Sequence, residues 1–151
     1  MPDLSARPAV DPRAVRFAAA LTTLVLALVL LSGSGLLLAV QAVVFALGAF
    51  AGLHLSPYSV LFRVVVAPRL GPPAEREDAA PVRFSQAVGL VFAVVGAVGY
   101  LAGLPVLGIV ATAFALGAAF LNAAFGFCLG CELYPLIARL TVKSNQQGAT
   151  A

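Results

Sequence analysis

Residues 84–131 read FSQAVGLVFAVVGAVGYLAGLPVLGIVATAFALGAAFLNAAFGFCLGC and contain no charged side chain. A helix needs about 20 apolar residues to cross the hydrocarbon of a bilayer, so this stretch is long enough for two crossings. The turn signal Gly103-Leu104-Pro105 lies near its middle, and proline is tolerated in the first turn of a helix. The stretch therefore predicts two membrane-spanning helices, at residues 84–102 and 105–127.

A second uncharged stretch, residues 17–53, is interrupted by Ser32-Gly33-Ser34-Gly35 and predicts two more spans, at residues 16–32 and 35–53. The 151-residue chain is 62% hydrophobic and 10% charged, with a mean hydropathy of +1.04, whereas soluble domains carry about a quarter charged residues. A helix satisfies its own backbone hydrogen bonds in lipid. We therefore expect an all-α integral membrane protein with four transmembrane helices.

The basic residues predict the orientation. Both predicted hairpin turns lack them, while the N-terminal segment, the central connection and the C-terminal segment hold all nine: Arg7, Arg13, Arg16, Arg63, Arg69, Arg76, Arg83, Arg139 and Lys143. The positive-inside rule then places both termini and the central connection in the cytoplasm, in the plasma (inner) membrane. The net charge of +3 is explained by an anionic leaflet and predicts no nucleic-acid partner.

An internal repeat links the two halves. VRF at Val15 recurs at Val82, FALGA at Phe45 recurs at Phe114, and APRL at Ala67 matches IARL at Ile137, at offsets of 67, 69 and 70 residues. We expect two parallel helical-hairpin repeats, at about residues 15–70 and 82–140, within a single membrane domain. Residues 71–81 are expected to form a linker and residues 141–151 a disordered tail. Two crossings return the chain to its starting side, so the repeats are related by an axis along the membrane normal.

Each repeat is expected to end in a short cytoplasmic interfacial helix. The first is SPYSVLFRVVVAPRL at residues 56–70, with Ser56 as N-cap and Pro57 in the first turn. It is too short and too charged to cross the bilayer. ELYPLIARL at residues 132–140 takes the same place in the second repeat.

Several motifs together resemble a known family: VDPR at Val10, SPY at Ser56, RLGPPAE at Arg69, PVRF at Pro81 and FALGAAFLNAAFGFCLGCE at Phe114. They are similar to the bacterial membrane family called domain of unknown function 4395, in its actinobacterial form, over about residues 10–139. No established activity comes with that family. The resemblance implies a small four-span membrane protein with a C-x-x-C pair, here Cys128 and Cys131, and a link to thiol or sulfur metabolism.

The two cysteines lie where the second apolar stretch ends. Residues three apart share a helix face, and such a pair can close a disulfide or relay a mixed disulfide. Gly126 and Gly130 are expected to break the fourth span and to leave Cys131 near the N-terminus of the next helix, where a thiolate is favoured. In the cytoplasm the resting pair is expected to be reduced.

Two neighbours complete the candidate site. Glu132 either opposes the thiolate by its charge or accepts the thiol proton. His54, at the cytoplasmic end of the second span, is at the same depth as the cysteines and is a candidate to tune or deprotonate a thiol. His54 and the cysteines also have simple structural interpretations. His54 can be an interfacial residue, and the cysteines can be packing residues.

No cofactor is specified by the sequence. A closed zinc site uses four ligands, and the chain offers two cysteines and one histidine, so we expect no metal. A quinone dissolved in the bilayer is a candidate electron carrier.

Three functions remain open. The first is thiol–disulfide exchange or sulfur relay with a cytoplasmic thioredoxin-like or sulfurtransferase partner. The second is a non-catalytic membrane anchor or accessory subunit of a larger complex, including a homo-oligomer. The third is a small transporter, although the predicted spans hold no buried charged residue of the kind that proton-coupled pumps use.

Overall fold

The structure, a computed structural model, describes residues 9–150, so Arg7 and residue 151 of the predicted tail lie outside it. Its architecture is all-α apart from one antiparallel pair of two-residue strands, in which Ala9 faces Asp78 and Val10 faces Glu77. The elements in chain order are β1 (Ala9–Val10), α1 (Pro12–Ser32), α2 (Gly35–Ala46), α3 (Pro57–Leu61), α4 (Ala67–Leu70), β2 (Glu77–Asp78), α5 (Ala79–Leu101), α6 (Pro105–Phe125) and α7 (Leu129–Thr150).

Three of these helices, α1, α5 and α6, are long and apolar enough to cross a membrane. α2 continues at its C-terminal end into a π-helical turn, Leu47–Ala51. Together they form a shorter apolar helix, Gly35–Ala51. It ends before residue 53 because Gly52 has φ 120°, outside the helical region.

The turns between helices use the predicted residues. Gly33 and Gly126 adopt left-handed conformations and end α1 and α6, which is the usual role of glycine after a helix. The side chains of Asp11, Ser34 and Asp78 cap the N-termini of α1, α2 and α5 by accepting backbone N–H groups. Because Asp78 caps it, α5 begins at Ala79, inside the segment that the sequence predicted as linker.

The long helices pair across the two halves of the chain. α1 packs mainly on α6, and α2 packs mainly on α5, while α5 and α6 also pack on each other. Their shared core is formed by Leu26, Val29, Leu38, Ala42, Phe45, Ala93, Ala97 and Ala115.

The outer surface of the bundle is apolar. Leu31, Leu36 and Val106 are 86%, 72% and 72% exposed, and many other leucines and valines of the long helices also face outward. Soluble proteins rarely expose apolar surface on this scale, and such a surface is consistent with a membrane protein.

The segment after α2 forms helix where the sequence predicted it. Pro57 begins α3, and the helical path continues through a π-helical turn, Phe62–Val66, into α4. Ser56 precedes the helix as predicted but its hydroxyl caps no backbone group. Phe62 is buried and its ring centroid lies 5.7 Å from that of Phe17, so the segment packs against α1.

The C-terminal helix differs from the sequence prediction at both ends. α7 starts at Leu129 rather than near Glu132, because the chain turns fully at Gly126 and needs only two residues before the next helix. It also extends through residues 141–150, for which a disordered tail was predicted. That part contains no proline, so no backbone N–H is lost from the helical hydrogen-bond series.

Candidate functional site

Cys128 immediately precedes α7, which begins at Leu129. Its carbonyl oxygen accepts a hydrogen bond from the Glu132 N–H at 3.0 Å, and its sulfur accepts the Cys131 N–H at 3.2 Å. The sulfur therefore occupies the position that a serine or aspartate oxygen takes in an ordinary N-cap. The N–H groups and the dipole at a helix N-terminus favour negative charge, which the Cys128 sulfur would carry as a thiolate after reduction.

Cys128 and Cys131 are joined by a disulfide with a Cα–Cα separation of 5.1 Å. This differs from the reduced pair that the sequence predicted from the cytoplasmic compartment. The reason is geometric: one turn of helix separates the two residues, and their Cα distance falls within the range that a disulfide spans. The structure also makes Cys128, not Cys131, the cysteine at the helix terminus.

A close approach between α7 and α5 positions the pair. A Cβ atom on Gly130 would lie 2.7 Å from the Cα of Ser85, so only glycine allows the two helices to come this near. The Ser85 hydroxyl lies 3.5 Å from Cys128 Sγ, to which it can donate a long hydrogen bond. The packing of α7 on α5 thus fixes the position of the disulfide relative to α5.

A cavity of about 940 Å³ lies between the halves and has Cys128 in its wall. Residues of α1, α3, α5, α6 and the shorter apolar helix Gly35–Ala51 contribute to it. Toward the middle of the helices its lining is apolar and includes Phe45, Phe92 and Phe114. At the helix ends its lining is basic and polar, with Arg13, His54, Arg63, Arg76, Arg83 and Gln86.

A smaller groove of about 290 Å³ lies on the other side of the disulfide. It is lined by both cysteines, by Glu132, and by residues near the N-termini of α1 and α5. Cys128 lines the cavity and the groove, whereas Cys131 lines only the groove. The disulfide is therefore part of the wall between them.

The four residues predicted for the site are only partly brought together. Glu132 is exposed and shares the groove with the two cysteines. His54 lines the cavity that Cys128 also lines, yet no hydrogen bond joins its side chain to either cysteine in the described part of the chain. Its ring instead lies over Gly52, and its carbonyl accepts Arg63 Nη2 at 2.6 Å. The geometry thus supports the cysteines more directly than a role for His54 as their base.

Residues 9–150 contain no cluster of three or more histidine, cysteine or acidic side chains that could hold a metal ion. The disulfide itself also occupies both sulfurs as potential ligands.

Sequence reasoning missed the polar contacts around the cavity. Arg13 pairs with Asp11 at 2.9 Å, and the hydrogen bond from this arginine lowers the pKa of the Asp11 carboxyl. Tyr58 donates to Gln41 Oε1 at 2.6 Å, and burial raises the pKa of its phenol. The sequence marked the arginines only as indicators of orientation, because nothing local shows which helix ends converge.

No curated protein and no solved structure matches the chain. The family model described as Domain of unknown function (DUF4395) matches residues 10–139, a range that includes α1, α2, α5, α6, the first half of α7 and the cysteine pair. Over that range, which is most of its length, the chain belongs to the DUF4395 family.

Proposed function

We propose that the protein is a membrane thiol–disulfide exchange protein in which Cys128 is the attacked sulfur and Cys131 the leaving and resolving sulfur. One observation carries this proposal: Cys128 Sγ caps α7 and accepts the Cys131 N–H while it is paired with Cys131 in a disulfide. The same N–H and the helix dipole would stabilise a Cys128 thiolate after reduction. Packing alone does not require a sulfur at an N-cap.

The exchange proceeds in two steps. A thiolate of a cytoplasmic thioredoxin-like protein attacks Cys128 Sγ, the Cys128–Cys131 bond breaks, and Cys131 leaves as a thiolate. The partner's second thiol then attacks the mixed disulfide and releases Cys128. The partner loses two electrons and two protons, and the Cys128/Cys131 pair gains them. A two-electron acceptor in the bilayer, such as a quinone, would restore the disulfide. Sulfur relay to a sulfurtransferase would use the same pair of cysteines.

We further propose that Gly35–Ala51 is a fourth membrane span. At about 1.5 Å per residue its 17 residues reach about 25 Å, close to the thickness of the hydrocarbon. Hydrogen bonds from Arg16, Arg63 and Arg83 lie at one end of the bundle, while the turns at residues 33–34 and 102–104 carry no charge. This distribution supports a cytoplasmic location for both termini, in the plasma membrane.

The packing supports two parallel repeats. If α1 corresponds to α5 and α2 to α6, then the α1–α6 and α2–α5 contacts are equivalent, and these are two of the largest interfaces. Arg16 caps the end of α6 through Ala123 and Ala124 carbonyls, and Arg83 caps the helix that begins at Gly35 through the carbonyls of residues 49 and 50. Each pair of carbonyls lies three and two residues before the terminal glycine of its helix.

Counting from those glycines gives the first-half counterpart of Cys128. Gly52 and Gly126 are 74 residues apart, so His54 corresponds to Cys128. The first half therefore has an imidazole where the second has the exchanging sulfur, and the proposed chemistry occurs once per chain.

A second candidate function is that of a membrane anchor or accessory subunit. It is favoured by α7, where the apolar side chains of Leu136, Leu140 and Val142 are more than half exposed. Such a face suits a partner helix or the bilayer surface. An anchor, however, needs no exchange at the cysteines, which allows the two functions to be separated.

The test uses reduced, purified protein in neutral detergent and Ellman's reagent, a disulfide that releases one coloured thiol for each attack. In the native chain, the first attack should be followed by rapid resolution, with two coloured thiols released and none retained. Cys131→Ser should release one and retain one as a stable mixed disulfide at Cys128. Cys128→Ser should react more slowly. Slow, independent reaction of both sulfurs without ring closure would overturn the exchange function and leave the anchor.

A further inference from the structure

We propose that the large cavity binds an anionic phospholipid of the surrounding membrane, with its phosphate at Arg63 and Arg76 and an acyl chain between the phenylalanine rings. This inference goes beyond the exchange function and does not depend on it. It rests on the charge, shape and apolar lining of the cavity.

The charge of the lining is unbalanced. Asp11 is the one carboxylate among the described lining residues, and Arg13 already neutralises it by an ion pair of 2.9 Å. Four arginines line the cavity with this single carboxylate, so the lining keeps three positive charges in excess, and Arg76 also interacts with Asp11 through its charge. Basic pockets between transmembrane helices on the cytoplasmic side are suited to anionic lipid head groups.

The arginines keep donors for a phosphate. A guanidinium has five N–H donors. Arg63 uses Nη2 on the His54 carbonyl, and Arg83 uses Nε and Nη2 on the carbonyls of residues 49 and 50. Within the part of the chain that the structure describes, Arg76 makes no hydrogen bond, and its side chain is exposed at the cavity. Arg76 can therefore bind a head group without losing a hydrogen bond, although its charge also acts on Asp11.

The inner part of the cavity suits a hydrocarbon chain. Phe45, Phe92 and Phe114 line it, with the last two rings stacked at 6.1 Å. Its volume of about 940 Å³ is near the upper end of the range for small-molecule sites, about 300–1,000 Å³. A lipid meets both requirements, a charged head and an apolar chain, in one molecule.

The experiment titrates delipidated protein in neutral detergent with phosphatidylglycerol, and with phosphatidylcholine of the same acyl chains, by native mass spectrometry. We expect one phosphatidylglycerol to bind in clear preference to phosphatidylcholine. Arg76→Gln should weaken phosphatidylglycerol binding about fivefold, the equivalent of about 1 kcal/mol for one exposed charge contact. Arg69→Gln is the matched control, because Arg69 is exposed but does not line the cavity, and it should leave binding unchanged.

A second pair of variants tests the position of the lipid's acyl chain. Ala118→Phe places a ring in the cavity and should reduce binding of phosphatidylglycerol, whereas Ala113→Phe, on the exposed side of the same helix, should not. Equal binding of the two lipids, or equal effects of Arg76→Gln and Arg69→Gln, would overturn the proposal. Oleate binding more tightly than phosphatidylglycerol would assign the cavity to fatty acids and overturn it too. The reaction with Ellman's reagent is measured separately, so either proposal can fail alone.

Discussion

At the scale of single residues, Cys128 combines a structural and a chemical role. Its sulfur satisfies a backbone N–H at the start of α7 and is also bonded to Cys131. The residue is partly buried, with Ser85 on one side and the groove on the other. Stabilisation of the helix end and stabilisation of a thiolate therefore use the same N–H group.

The first prediction concerns the relative reactivity of the two thiols. After reduction, Cys128 should alkylate several-fold faster than Cys131 because the Cys131 N–H and the dipole of α7 raise its thiolate fraction. The measurement is the iodoacetamide rate of each Cys→Ser single variant as a function of pH. Glu132→Gln should change the rates little, since Glu132 is exposed and the surrounding water weakens the effect of its charge. Faster alkylation of Cys131 would contradict the assignment.

A second prediction concerns Asp11 and acid. Arg13 donates to the Asp11 carboxylate and lowers its pKa, so the folded state favours the ionised form. The resulting stability is complete above the ordinary carboxyl pKa and is lost as the pH falls through the lowered folded value. Asp11→Ala should also lower the free energy of unfolding by about 1 kcal/mol through loss of the cap.

Asp11→Asn separates these two effects, because asparagine also caps helices but does not titrate in this range. Thermal unfolding in detergent at neutral pH and at pH about 3 is the measurement. The native chain should lose more stability on acidification than Asp11→Asn. An identical loss in both proteins would show that the ion pair with Arg13 contributes nothing.

At the scale of elements, α7 lies where it does because a glycine lets it approach α5. Gly130 is buried against Ser85, and Tyr134 one turn later places its ring 5.8 Å from Phe84. These contacts hold the first turns of α7, while residues 135–144 of the same helix are exposed. The position of the disulfide thus depends on packing between two helices that are distant in sequence.

The third prediction follows from this approach. Gly130→Ala should lower the free energy of unfolding by about 1–3 kcal/mol, because the added methyl would meet the Ser85 backbone, which cannot move independently of α5. Gly117→Ala on α6 is the matched control: nothing lies within 4 Å of its added methyl, so it should raise the stability by about 0.5–1 kcal/mol. Chemical unfolding in mixed micelles measures both. Equal stability of the two variants would show that α7 does not pack closely on α5.

At the scale of the whole molecule, the two halves are held together at one end by reciprocal arginine contacts. Arg83 donates Nε and Nη2 to the Ala49 carbonyl at 3.0 and 2.8 Å, and Arg16 donates Nη2 to the Ala123 carbonyl at 3.2 Å. Both satisfy carbonyl groups that a helix end leaves without partners. The cavity lies between the halves that these contacts join.

The fourth prediction ranks these arginines. Arg83→Ala should lower the free energy of unfolding by about 1–3 kcal/mol, the usual range for hydrogen bonds from a charged donor. Arg16→Ala should have a smaller effect, because its contacts are longer and use one nitrogen. Arg69→Ala, which removes an exposed arginine, should have almost none. The order is read from unfolding midpoints in detergent, and an Arg69 effect as large as that of Arg83 would contradict it.

The sequence by itself determined the apolar helices and the turns between them, whereas α5 and α7 begin earlier than predicted. Uncharged stretches, Gly33, Gly126 and Pro105 act within a few residues of their own position, so the helix boundaries could be predicted closely; three of the predicted spans are confirmed as helices long and apolar enough to cross a membrane. The start of the helix at Pro57 follows from equally local signals.

Only the tertiary structure decided which helix ends meet. The pairing of α1 with α6, the place of Cys128 at the wall of a cavity, and the convergence of Arg63, Arg76 and Arg83 all join residues that are far apart in the chain. A single sequence carries no signal for such contacts, because apolar helix faces of similar composition can pack in several ways. The sequence named both cysteines, but Cys128 became the helix-terminal sulfur only because Gly130 allows α7 to start against α5.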